Sequence, residues 1–90
     1  MIFVYLHGFN SAYDPSSTKV QALSKLGDVV GITYNTFGTY KEIFSEIESQ
    51  VPDKEVVFVG TSLGGFWAAE MAKHFGMPSV IINPCLNPGL

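Results

Sequence analysis

Ser62 stands between Gly60 and Gly64 in the run VVFVGTSLGGFWA, residues 56–68. The spacing G-x-S-x-G presents a serine hydroxyl as a nucleophile on a tight turn from strand to helix. Side chains two positions either side of the serine would collide with the crossing backbone, so glycine stands there. A hydroxyl held in that way can attack a carbonyl. The Leu63 N–H, at the start of the following helix, can stabilise the oxyanion that develops.

Acyl transfer of this kind needs a proton acceptor, and the chain offers few. Downstream of Ser62 only Glu70 and His74 can titrate near neutral or acid pH, and both fall on the helix that Ser62 opens. At a rise of about 1.5 Å per residue, Glu70 lies about 12 Å and His74 about 18 Å along that axis, against a hydrogen-bond reach of about 3 Å. His74 reads more simply as a polar group near a helix C-terminus. Asp28, Asp53 and Glu55 fall toward the amino ends of strands, on the wrong side. Asp14 falls in the loop after HGFNS, a position that spacing does not fix. His7 is the one histidine at the same edge as the serine.

The elements that must position these residues alternate. Ile2–Leu6 is a strand of β-branched and aromatic residues ending at His7-Gly8. A helix is expected over Ser16–Leu26, with a serine cap, Val20, Leu23 and Leu26 along one side and Gly27 as its stop. Val29–Tyr34 is the second strand. Thr39 and Glu42 have capping-box spacing, opening a helix with Tyr40, Ile43, Phe44, Ile47 and Val51 at helical periodicity, ended by Pro52. Glu55–Val59 is the third strand. Leu63–Phe75 is a buried helix terminated by Gly76 and Pro78, and Val80–Ile82 is a short fourth strand. The two Asn-Pro steps in NPCLNPGL, residues 83–90, argue against regular structure there.

Strand, helix, strand, helix, strand, helix, strand predicts a three-layer α/β sandwich with a four-stranded parallel sheet. Right-handed crossovers place all strand carboxyl ends on one edge, where ligands bind in such folds. The order second, first, third, fourth makes the HGFNS and GTSLGG loops neighbours there. The fourth strand is then an exposed edge. Two copies pairing along it would form a continuous eight-stranded homodimer sheet, which a monomer by light scattering at micromolar concentration excludes.

The segments YLHGFNS (5–11), VGTSLGGFWA (59–68) and IINP (81–84) resemble the α/β-hydrolase fold. More closely, they are similar to the small bacterial esterase-like family of the YqiA/YcfP type. The resemblance runs through all 90 residues and corresponds to the N-terminal half of that family's domain. It implies Ser62 as nucleophile within GxSxGG, with Gly60, Gly64 and Gly65 shaping the turn. It also implies an oxyanion hole around Gly8 and Phe9 together with Leu63, with His7 supporting that loop. Ile82, Asn83 and Pro84 match the family's INP. The family's acid and histidine, expected on later strands, have no counterpart. Three explanations stay open: a fragment of a longer hydrolase, a short relative that has lost its triad, or a second chain that completes it.

Whole-chain properties narrow the function classes. A hydrophobic share of 47% and an aromatic share of 13% indicate a single globular domain, residues 1–90. Net charge is −3 and charges are scattered, leaving no basic patch for nucleic acid or an anionic membrane. MIFVYL lacks a basic n-region and falls far short of the ~18 apolar residues of a membrane span. A lone Cys85 forms no intrachain disulfide and reads as a small buried thiol, in keeping with a cytoplasmic protein. No metal or cofactor is expected. The leading expectation is an esterase or thioesterase acting on a small-molecule ester with an incomplete triad. The alternative is a non-catalytic binding or interaction protein on a hydrolase scaffold. A flavodoxin-like nucleotide binder ranks last, because neither a P-loop nor G-x-G-x-x-G is present.

Overall fold

Alternate residues of the first strand face opposite layers, and that alternation divides the core. A computed structural model of the protein describes residues 1–9 and 11–84. In it β1 (Ile2–Leu6) sends Phe3 and Tyr5 to one face, where they pack with Val20 and Val59. Val4 and Leu6 go to the other face, joining Ile43, Ile47, Phe58, Trp67 and Met71. The first face is covered by α1 (Thr18–Ser24), the second by α2 (Tyr40–Glu48) and α3 (Leu63–Phe75). With β2 (Asp28–Gly31), β3 (Val57–Ser62) and β4 (Ser79–Pro84) the strands form one all-parallel sheet in the order β2-β1-β3-β4. This is the predicted three-layer α/β architecture, with the predicted strand order.

The register sets the functional edge. Leu6 pairs with Gly60 and Tyr5 with Gly31, so β1, β2 and β3 deliver their following loops together. β3 is longer than expected and runs through the serine motif to Ser62. It stays paired with β4 across an irregularity between Thr61 and Ser62. β4 is also longer than its expected Val80–Ile82, because the first Asn-Pro step does not end it: Pro84 still registers with Ser62. An edge strand tolerates proline near its end, where the missing N–H costs no ladder bond. β2 is shorter than expected. Ile32 N–H still bonds Tyr5 O at 3.1 Å, but the chain then leaves the sheet.

The helices follow their caps. α2 begins with the predicted capping box: Glu42 N–H donates to Thr39 Oγ1 at 3.2 Å, and Thr39 N–H donates to Glu42 Oε1 at 2.9 Å. It ends at Glu48, before the expected Val51. α1 begins two residues later than expected. Ser16 is held by Asp14, donating from its N–H at 2.9 Å and its hydroxyl at 2.7 Å, so Ser17 becomes the cap instead. Since α1 ends at Ser24, Leu26 falls beyond it and is 71% exposed, not on the packed side. α3 matches its expected span and stops at Gly76, which adopts the left-handed conformation (φ 66°) that glycine accommodates. No helix among the described residues is long and apolar enough to cross a membrane. The expected role of Cys85 and the rest of the tail from residue 85 lie outside the described residues, as does Asn10 of the HGFNS loop.

Candidate functional site

The turn from β3 into α3 is built by contact between backbones. An added Cβ at Gly60 would overlap the Gly64 carbonyl, and one at Gly64 would overlap the carbonyl oxygens of Leu6 and His7. Glycine at both positions is therefore a steric requirement. Between them Ser62 adopts φ 54°, ψ −123°, the only non-glycine positive φ among the described residues. That conformation typically costs a residue with a Cβ about 1–3 kcal/mol. The Ser62 hydroxyl makes no capping bond to α3. The helix instead begins with first-turn N–H groups that no intrahelical carbonyl satisfies. Leu63 and Gly65 are buried behind the turn. A simple glycine-rich turn capped by Ser62 would have engaged that hydroxyl, and this one does not.

The loop after β1 lies against the serine. A Cβ on Gly8 would sit 3.6 Å from Ser62 Cβ and 3.7 Å from Thr61 O, so the Gly8–Phe9 backbone borders the turn. His7 is buried at 4% exposure and its Nδ1–H donates to Gly8 O at 3.0 Å. Its ring stacks on Tyr34, centroids 4.4 Å apart and planes within 24°. The Tyr34 hydroxyl donates to the His7 carbonyl at 2.5 Å. Burial, and secondarily the neighbouring Tyr5, pushes the Tyr34 phenol well above its ordinary range, so it stays a neutral donor. His7 and Tyr34 thus clamp the loop from below.

Tyr34 was not among the residues singled out from sequence. The signal available was a tyrosine closing an apolar strand, since a buried phenol needs a hydrogen-bond partner. Phe9 and Phe37, from the loops after β1 and β2, meet edge to face with centroids 5.2 Å apart and remain 58% and 69% exposed. Phe37 too was not singled out.

The two downstream titratable groups are held elsewhere. His74 Nε2 lies 2.7 Å from Glu48 Oε2, joining α3 to α2. Glu70 accepts from the Tyr40 hydroxyl at 3.2 Å and pairs with Lys73 at 3.6 Å. Asp14 is exposed, and its bonds from Ser16 hold its carboxyl below the ordinary range. Asp28 opens β2 at the opposite end of the sheet, as expected. A cavity of about 450 Å³ also lies at that far end, lined by Met1, Glu55, Val57, Gly76 and Met77. It has no part in the serine's surroundings. Among the described residues no group of three His, Cys, Asp or Glu is disposed to hold a metal ion.

Fold and site together define a parallel α/β protein with a strained serine on a strand-to-helix turn at the carboxyl edge of its sheet. The chain belongs to the uncharacterised protein family UPF0227, the YcfP/YqiA-like group, whose pattern matches residues 2–90. It is similar to the UPF0227 proteins of Shewanella woodyi (31% identity over 94 residues) and Serratia proteamaculans (34% over 94). The UPF0227 protein of Vibrio atlanticus is 33% identical over 95 residues. Each match covers 97% of this chain and 52% of the relative. The chain therefore spans about half the length of the curated relatives it matches.

Proposed function

We propose that this chain carries the nucleophile and oxyanion side of a serine hydrolase of the esterase or thioesterase type, on an α/β-hydrolase scaffold. Ser62 Oγ attacks the carbonyl carbon of a small acyl ester. The oxyanion is received by the N–H groups of Leu63 and Phe9, and the alcohol or thiol leaves. The hydroxyl proton passes to a base outside the residues described above, so the triad in this chain is incomplete. The observation that carries this reading is the backbone of Ser62. A cost of about 1–3 kcal/mol at a serine whose hydroxyl does not cap its helix is explained by presentation of that hydroxyl.

His7 and Tyr34 hold the oxyanion loop, while Gly60 and Gly64 let the backbones cross. Without a base, the oxyanion hole and binding alone leave about 10³–10⁴-fold acceleration over water, visible on activated esters. A fluorophosphonate probe tests the reading: stoichiometric labelling that disappears in Ser62→Ala is expected. A second reading is a non-catalytic binding protein on the same scaffold. It is favoured by the engagement of His74 with Glu48 and of Glu70 with Tyr40 and Lys73. Folded protein that no probe labels would select it.

A further inference from the structure

The loops that surround Ser62 carry no carboxylate, amine or guanidinium, and His7 is their one imidazole. Residues 7–13, 32–40 and 61–69 contain no Asp, Glu, Lys or Arg, and the chain has no arginine. The nearest carboxylates in sequence are already engaged: Asp14 with Ser16, Glu42 with Thr39, and Glu70 with Tyr40 and Lys73. A phosphate or carboxylate on a substrate would find no Lys or Arg on these loops; the nearest in sequence, Lys41, is exposed in the first turn of α2. What the loops do offer is apolar surface. Phe9 directly follows Gly8, which borders Ser62, and Phe37 meets Phe9 edge to face, both residues more than half exposed. Exposed apolar residues scattered singly are ordinary, but two rings joined beside a strained serine form a patch.

We infer that the Phe9–Phe37 ring pair seats the acyl group of the substrate, and that this group is neutral and apolar. The inference rests on Ser62 as the nucleophile. The chain carbons adjoining the reacting carbonyl lie across the two rings while the carbonyl oxygen turns toward the Leu63 N–H. Apolar selectivity follows from area removed from water, so it rises with chain length. A terminal charge would have to be desolvated against phenyl rings, so it is selected against.

The test compares ethyl, octyl and carboxylate-ended octyl fluorophosphonates on the folded chain. With each, the Ser62 Oγ–P bond forms, the P–F bond breaks, fluoride leaves and the hydroxyl proton goes to solvent. The octyl probe is expected to label at least about 10-fold faster than the ethyl probe, and the carboxylate-ended probe to lose that advantage. Phe37→Ala should remove the difference between the octyl and ethyl rates, and Phe37→Leu should restore most of it. Phe37 is exposed, so these variants retain the fold, which thermal unfolding checks. Equal ethyl and octyl rates, or an octyl advantage that survives Phe37→Ala, overturn the acyl seat while leaving Ser62 a nucleophile. Absence of labelling by all three probes overturns the nucleophile reading and this inference with it.

Discussion

Ser62→Gly should make the protein more stable than Ser62→Ala, and both should abolish labelling. At φ 54°, ψ −123° the Cβ of serine or alanine clashes with the flanking backbone, whereas glycine enters this region freely. The strain is about 1–3 kcal/mol. Glycine returns part of that gain, about 0.5–1 kcal/mol, through the greater freedom of its unfolded chain. The net advantage of Ser62→Gly over Ser62→Ala is therefore about 1 kcal/mol, or about 4–8 °C in melting temperature for a domain of this size. Alanine is the proper reference because it removes the hydroxyl and keeps the Cβ. Trp67 is the only tryptophan and is fully buried, so its fluorescence in a urea titration reports unfolding directly. If Ser62→Gly proves equal to or less stable than Ser62→Ala, the turn is relaxed, and the argument from strain to a presented nucleophile fails.

Three further outcomes rest on Tyr34 and the β4 edge. Tyr34→Phe should cost about 1–2 kcal/mol by leaving the His7 carbonyl without its donor. Because burial raises the Tyr34 pKa in the folded state, the unfolded chain loses this proton first, near pH 10. Wild-type stability should then fall above pH 10 more steeply than that of Tyr34→Phe, by about 1.4 kcal/mol per pH unit, and equal alkaline slopes in urea titrations would contradict the buried phenol. At the sheet edge, β4 exposes Val80, Ile81 and Ile82 at 51%, 37% and 37%, with no charged residue in Ser79–Pro84 to discourage pairing. Light scattering should therefore show concentration-dependent dimers of this chain that Ile81→Lys reduces to monomer; a monomeric unaltered chain at micromolar concentration rules the edge contact out.

Periodicity carried most of the architecture because a parallel sheet with helices on both faces leaves a regular record. Its strands are apolar runs, its helices amphipathic segments, and its crossovers have one hand. Where an element's end depended on local hydrogen bonds, the record was good only when the competing partners were few. Thr39 and Glu42 had no rival and formed their capping box. Ser16 had one in Asp14, and that turn moved the start of α1 to the next serine. β3 and β4 outran their expected ends for a tertiary reason: each pairs with the other past Gly60 and Thr61, where neighbouring glycine and proline suggest a stop. Tyr34 and His7 are 27 residues apart, and Phe9 and Phe37 are 28 apart, so no spacing rule could join them. They meet because β1 and β2 pair in register and release their loops at one edge.

The serine turn was legible for a different reason. Its glycines are demanded by backbone contacts that a short sequence must satisfy within five residues, so the pattern and the geometry are nearly the same statement. No base was legible, and the places of the candidate groups among the described residues explain why. His74 and Glu70 belong to the packing of α3 against α2, where their bonds to Glu48 and Tyr40 fix the helices together. His7, the histidine at the correct edge, is turned into the support of its own loop, stacked on Tyr34 and bonded to Gly8. A strained serine persists only where its surroundings over-determine it, and here Gly60, Gly64 and the His7-supported Gly8 do so without any acid. On the proposed reading, the position of Ser62 is therefore separable from its activation. The probe chemistry that would find the serine would also measure how far it has been activated.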